Sequence, residues 1–502
     1  MPPLFSAPAL HRRRVLRHAA AFALVLLAVA LLFLLLVHPR SLGTPSPSPS
    51  YGHRLPTLVD LTLVHGAKEK GAVCLDGTPP GYHWLPGFGD GSNKWLLHLE
   101  GGSWCRNRTS CDHRKKTSLG SSAYMETRVE FVGILSDDKA QNPGQIQSLS
   151  LTSLHFYLLL LAIGLQQEQP QLVPHLQELQ PQLPFSAPIS DPPEAAPDPL
   201  LVASARKVVV VVGSTSEYLH PPQPLPHWQL EPHPQLPPQH DMYGATFFFR
   251  GQRIWEAVMA ELLPKGLARA KQAFLTGCSA GGLSTYIHCD DFRALLPKDS
   301  TVKCLADGGF FLDVEDISGR RYMRGFYNDV ARQQDLRKRF PGCSSDMEPG
   351  QCFFPQEVAK GITTPMFILN PAYDVWQVEH VLTPDGSDPQ NLWQDCRMDI
   401  TKCNTKQLEI LQGFRKSLLD AISEFKKKRG WGMFIDSCYI HCQSMKSLAW
   451  HSPSASRINN KTVAEAVGDW FFDRREVKEI DCEYPCNPTC YNVVLEQPYQ
   501  EG

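Results

Sequence analysis

Apolar residues fall along this chain in runs of two lengths. The one long run is Ala19–Val37, 19 residues without a charge, preceded by Arg12, Arg13, Arg14 and Arg17. It is just long enough to span a bilayer as a helix. The arginines before it keep the N-terminus cytoplasmic and send the rest across. The run is either an uncleaved anchor, giving a single-pass type II membrane protein of the secretory pathway, or a secretory signal cleaved within 41–50. Both readings place the chain beyond about residue 45 outside the cytosol.

After Thr44–Ser50, a Pro/Ser stretch that reads as an extended linker, the apolar runs are short. Lys94-Trp-Leu-Leu-His-Leu99, ended by Glu100-Gly-Gly102, is a buried-strand pattern. Gln272–Thr276, Thr364–Leu369 and Gly432–Ile435 read as further strands. Gly251–Leu263, Gly266–Ala270 and Thr462–Phe472 read as helices, and Gly281–His288 opens another. Asn404–Lys427 reads as one long amphipathic helix. Strands alternating with helices predict an α/β fold with a mainly parallel central sheet flanked by helices.

Composition divides the chain. Lys+Arg is 49 against Asp+Glu 51, a net charge of −2, which excludes the basic excess of a nucleic-acid binder. With 42% hydrophobic residues, the chain is rich enough for a large core. None of the 15 Cys lies between Cys111 and Cys278, and 17 of the 42 Pro fall between Gly144 and Asp241. Four regions follow: 1–50, signal or anchor and linker; 51–143, a first globular part; 144–241, a Pro/Gln-rich segment; and 242–492, a second globular part with 12 Cys. Within 144–241, Leu154–Leu165 is too short an apolar run to span a membrane reliably. The Pro-rich stretches lack the backbone donors a sheet needs.

In a chain that enters the secretory pathway, these cysteines read as disulfides. The close sets Cys438/Cys442 and Cys482/Cys486/Cys490 have zinc-like spacing, but no His pairs flank them, so disulfides are the stronger reading and no metal site is expected. An odd total leaves at least one thiol unpaired within the chain. Asn107-Arg-Thr109 and Asn460-Lys-Thr462 are glycosylation sequons.

The chemistry centres on Gly277-Cys-Ser279-Ala-Gly281, a G-x-S-x-G motif between an apolar strand and a helix. That is the setting of a nucleophile elbow in an α/β-hydrolase-like fold. Small neighbours admit the strained turn, and the helix N-terminus offers N–H groups to a developing oxyanion. A serine nucleophile needs a base, and the base an orienting carboxylate, in the order Ser, Asp/Glu, His. Among the downstream acids, which include Asp307, Asp313, Asp316, Asp385 and Asp388, Asp374 closes Asn370-Pro-Ala-Tyr-Asp374 just past a strand. The bland alternative for it is a turn or helix cap. Of His288, His380, His441 and His451, His441 is the favoured base. It lies in a loop after the strand Gly432–Ile435, where Cys438 and Cys442 would brace it. Gly101 and Gly102 suit a second oxyanion loop, with Ala280 supplying the other N–H.

Several of these stretches together resemble the plant pectin acetylesterases, which are similar to the animal Notum carboxylesterases. They are His98-Leu-Glu-Gly-Gly-Ser-Trp-Cys105, Gly277-Cys-Ser-Ala-Gly-Gly282, Asn370-Pro-Ala-Tyr-Asp-Val-Trp-Gln377 and Asp436-Ser-Cys-Tyr-Ile-His-Cys-Gln443. Gly71-Ala-Val-Cys-Leu-Asp-Gly77, Gly120-Ser-Ser122 and Ala466-Val-Gly-Asp-Trp-Phe471 join them. The resemblance covers about Val59–Pro143 and Phe247–Tyr491. It implies a secreted cell-wall enzyme that removes acetyl groups from pectin through Ser279, Asp374 and His441. Gly101, Gly102 and Ala280 N–H groups would hold the oxyanion, and neither metal nor cofactor is needed. The membrane is a partner only through an uncleaved N-terminal run.

Two departures stand out. Ser103 replaces a glycine usual in the family. After Asn142-Pro143, residues 144–241 replace a strand and a Tyr-Cys turn near the active site, either as a mis-spliced segment, the favoured reading, or as a genuine Pro-rich insertion; Arg206–Val212 is a weak substitute for the strand. Losing a central strand would unpair its neighbours and threaten the fold. The competing functions are therefore a protein deacylase or other carboxylesterase on the same triad, an inactive variant, and a wall-binding protein tethered by the Pro-rich window.

Overall fold

A computed structural model describes residues 57–142, 206–210, 239–240, 246–334 and 346–495, apart from positions 88 and 139. The apolar run 19–37, the linker and most of 144–241 lie outside the described residues. Among the described residues, no helix is long and apolar enough to cross a membrane.

The central apolar runs at 94–99, 272–278, 301–307, 366–369 and 432–435 have become strands buried on both faces, which only a covered sheet permits. The strands are β1 (Leu58–Leu63), β2 (Gly81–Leu85), β3 (Lys94–Leu99), β4 (Arg128–Glu130), β5 (Arg206–Val210), β6 (Gln272–Cys278), β7 (Thr301–Asp307), β8 (Met366–Leu369), β9 (Gly432–Ile435) and β10 (Lys478–Ile480). They form one ten-stranded sheet in the order β10-β9-β8-β7-β6-β3-β5-β2-β1-β4. From β10 to β5 every pairing is parallel, and the remaining three are antiparallel. The expected α/β architecture with a mainly parallel sheet is present.

The helices that matter here are α1 (Arg108–Arg114), α2 (Gly251–Leu262), α3 (Ala280–Ala294), α4 (Tyr322–Gln333), α5 (Thr405–Ala421) and α6 (Val463–Phe471). On β6, Phe274 packs against Trp470 and Phe471 of α6, while a Cβ on Gly277 would meet Thr285 of α3. Residues an odd number apart on a strand face opposite ways, so α6 and α3 cover opposite faces. Capping boxes start α5 at Asn404/Gln407 and α6 at Thr462/Glu465, each satisfying two first-turn donors.

Three expectations are corrected. The helix expected over 404–427 ends at Ala421, because Phe425 turns inward to stack on Trp431 at 5.3 Å between ring centres. The helix expected over 266–270 is one 3₁₀ turn, Leu267–Arg269. The largest correction concerns the missing strand. Arg206–Val210 fills that place, parallel to β3 from Trp95/Arg206 to Leu99/Val210 and antiparallel to β2 from Tyr82/Val210 to Leu85/Lys207. A run of valines has high strand propensity whatever the prolines on either side of it.

Disulfides join Cys105–Cys111, Cys278–Cys442, Cys289–Cys304, Cys396–Cys403, Cys438–Cys490 and Cys482–Cys486. Cys352 is also disulfide-bonded. Cys74 is a buried free thiol, its pKa pushed up to about 12 by burial.

Candidate active site

The parallel strands β3 and β6 to β9 end at the same edge of the sheet, where ligands of α/β folds bind. β6 passes directly into α3, and the residue at the junction is Ser279, with φ 58° and ψ −124°. That left-handed backbone costs about 1–3 kcal/mol in a non-glycine residue and persists only where its surroundings enforce it. Here they do. The Ser279 N–H donates to the carbonyl of Asp307 at the end of β7, at 2.8 Å. Gly281 lies so close to the end of β3 that a Cβ there would sit 2.0 Å from the Leu99 carbonyl. Ser279 is 7% exposed.

β8 leads through Asn370–Tyr373 to Asp374, which is fully buried. Its Oδ1 accepts from the Gln377 N–H at 3.0 Å, and its Oδ2 lies 2.8 Å from His441 Nδ1. The helix-cap reading and the orienting reading are therefore both met, one by each carboxylate oxygen. The loops are stitched together by Ala372 N–H to the Asp436 carbonyl and Val375 N–H to the Ile440 carbonyl, at 2.8 and 3.2 Å. His441 Nε2 is buried and has no hydrogen-bond partner among the described residues. The ring of Trp376 lies over the imidazole, 6.0 Å between centres and 27° from parallel.

Cysteines brace this loop, but with partners more distant than each other. Cys438 bonds Cys490, and Cys442 bonds Cys278. The second bridge ties the residue before Ser279 to the residue after His441. Cys482 and Cys486 bond each other, so the zinc-like spacings are spent in disulfides. Asp436 holds the loop from below: its Oδ2 accepts from Gln443 Nε2 at 2.5 Å and Ser456 Oγ at 2.8 Å, and burial pushes its pKa up to about 6.

The oxyanion candidates also converge. Ala280 opens α3, so its N–H has no partner within the helix. A Cβ on Gly101 would lie 2.9 Å from Ser279 Cβ, which brings the β3 loop against the serine. Gly102 has φ 132° and Ser103 φ 60°. The left-handed region explains why glycine suits position 103, and Ser103 adopts it nonetheless.

Sequence reasoning missed Arg114. This guanidinium is buried in α1 and donates to the carbonyls of Gly102 and Ser103 at 2.5 and 2.8 Å. Burial lowers its pKa to about 9. An arginine at the end of a short polar helix carries no sequence signal for such a role. Asp307, one of the downstream acids, does not meet a histidine among the described residues as an orienter would. It instead accepts from Ser444 N–H and Oγ, both at 2.6 Å, and burial raises its pKa. The other histidines have plainer uses. His288 stacks on Trp255, and His451 bonds Thr462 Oγ1. Asn107 and Asn460, the two sequon residues, are both exposed.

A mostly parallel α/β sheet with a serine on this strained strand-to-helix turn is the frame of a carboxylic-ester hydrolase. A family model described as Pectinacetylesterase matches residues 53–148 and 238–491, and the chain belongs to that family. Among its relatives, pectin acetylesterase 5 of Arabidopsis thaliana is 44% identical over 91% of this chain and 90% of its own length. Pectin acetylesterase 4 of the same plant is 43% identical over 86% and 88%. A mouse palmitoleoyl-protein carboxylesterase is 25% identical over 64% of this chain and 51% of its own length. The solved Wnt deacylase Notum from Drosophila covers 87% of this chain and 100% of its own, with a TM-score of 0.58 and 18% identity, a likeness of fold. β5 lies between the two segments the family model matches.

Proposed function

We propose that this chain is a secreted cell-wall enzyme that removes acetyl groups from pectin with Ser279, Asp374 and His441 as its triad. The observation that carries the triad is the buried Asp374 carboxylate on His441 Nδ1, with Nε2 left unpaired on a loop bridged to the elbow. Ser279 Oγ attacks the acetyl carbonyl carbon while His441 Nε2 takes the hydroxyl proton. Asp374 holds the imidazole tautomer and stabilises the imidazolium. The N–H groups of Gly101, Gly102 and Ala280 receive the oxyanion. Collapse breaks the bond to the sugar oxygen, which takes the proton from His441. Water, deprotonated by His441, then attacks the acetyl-enzyme; the bond from the acetyl carbon to Ser279 Oγ breaks, Oγ takes the proton back from His441, and acetate leaves. These steps need no cofactor. Asn107 and Asn460 are proposed as glycosylated positions.

The direct test compares acetate release from acetylated pectin with deacylation of a palmitoleoylated peptide. The reading expects the first to proceed and the second to be slow. Inert pectin beside rapid peptide deacylation would overturn it in favour of a protein deacylase.

A further inference from the structure

A second concavity lies outside the triad, with a volume of about 270 Å³. Arg106, Arg320, Arg321 and Arg332 line it, with Asp329 as the one acid in its wall. Arg106 follows the oxyanion loop, and its guanidinium lies over the rings of Tyr322 and Phe326, at 5.1 and 5.5 Å. It has no ion pair among the described residues. Arg320 and Arg332 are 58% and 69% exposed, and their acid contacts, to Asp316 and Asp329, are long, at 3.7 and 3.6 Å. Contacts of that length at the surface hold little energy. Arg321 donates to the Asp313 carbonyl at 2.8 Å and lies 3.5 Å from the Asp313 and Glu315 carboxylates, and Arg320 Nε donates to Ser318 Oγ at 2.8 Å, so Arg106 and Arg332 are the forks left most available to an incoming anion.

The floor is formed by Gly325, inside α4. A glycine there costs a helix roughly 0.5–1 kcal/mol relative to alanine. Nothing lies within 4 Å of where its Cβ would be, so no packing demand explains it. Its effect is to leave the groove open.

The groove is coupled to the triad by a continuous aromatic path. Phe326 meets Trp104 at 6.5 Å, Trp104 meets Phe311 at 5.9 Å, Phe311 meets Trp376 at 5.1 Å, and Trp376 covers His441. Arg106 follows β3 and Arg320 and Arg321 follow β7, so the groove opens on the catalytic edge of the sheet. Arg106 stands four positions after Gly102, a reach of at most ~14 Å.

We infer that this groove is a subsite for the free carboxylates of a polyuronate chain whose acetylated sugar occupies the triad. The inference rests on the pectin reading above. Arginine is the side chain whose planar fork matches a carboxylate. Several arginines spaced along a groove suit a polymer bearing one carboxylate per sugar. Asp329 among them disfavours dense charge such as a phosphate cluster.

The test measures binding of de-esterified oligogalacturonate and of its fully methyl-esterified counterpart to the full chain, together with acetate release from acetylated pectin. The acid form is expected to bind at least 10-fold tighter than the methyl ester, with an advantage that shrinks as salt rises. Arg106→Gln with Arg332→Gln should cut that preference about 10-fold. Gly325→Leu, which fills the floor and favours the helix, should do the same without unfolding the protein. Equal binding of the two oligomers, or a preference unmoved by either variant, overturns the subsite. Equal loss of both oligomers in the variants also overturns it, since charge would then not be what is read. Failure of acetate release with charge-dependent binding intact would instead sink the activity reading and leave the groove.

Discussion

The two flanks of β3 are built by different means. On one side, β6, β8 and β9 each end in a loop that carries part of the proposed site, and β7 ends at Asp307, whose carbonyl accepts from the Ser279 N–H. Their sequence neighbours are also their structural neighbours: Ser279 follows β6 at once, and His441 comes six residues after β9 ends. On the other side, β5 arrives from the middle of a Pro/Gln-rich segment and pairs β3 with β2. The first flank carries its instructions locally. The second depends on one strand brought in from far along the chain.

That contrast is sharpest under a proline substitution. Val209→Pro removes a ladder donor from a strand paired on both sides, between His83 and His98. It is expected to cost at least ~3 kcal/mol and to leave little folded protein by circular dichroism. Glu130→Pro, on β4 at the sheet edge, should cost clearly less by the same melt. If the two cost the same, β5 is not the keystone of that flank.

On the flank of the proposed site, the elbow and the His441 loop are tied covalently. Cys278→Ser with Cys442→Ser opens a bridge spanning 164 residues and should lower stability by about 4 kcal/mol in urea titrations. Activity should fall as well, because the bridge brackets both Ser279 and His441.

Asp436 gives this flank a pH dependence. Its pKa stands at about 6 in the fold, above its ordinary value of 3.8. The folded state therefore holds this proton more tightly than the unfolded chain does. The contribution is fully present below pH 3.8 and is lost as pH rises through 6. At ~1.4 kcal/mol per pK unit, the loss is about 3 kcal/mol. Asp436→Asn should abolish that part of the decline, so its stability relative to wild type rises between pH 4 and 7. A parallel pair of curves would contradict the assignment.

The smallest effect is expected at Thr462, which caps α6 against the sheet. Thr462→Ala should cost about 1 kcal/mol in urea titrations, with no change in the chemistry at Ser279.

How much of this was legible in the sequence follows the same division. β3 and β9 match their apolar runs residue for residue, and Ser279, Asp374 and His441 stand out because each closely follows such a run. A strand's own valines were visible at 208–212, but their partners lie over a hundred residues away, and surrounding prolines masked them. Disulfide partners were equally opaque, since nothing in the spacing singles out Cys490 for Cys438 or Cys278 for Cys442, to which the fold joins them. Arg114 was invisible because its role is defined by carbonyls, which every residue has.

The central claim is that Ser279 is the nucleophile, and Ser279→Ala tests it most directly. With the fold verified by circular dichroism, kcat/KM for acetate release from acetylated pectin should drop by about 10⁴-fold or more. A folded Ser279→Ala protein that releases acetate at the wild-type rate would contradict the account.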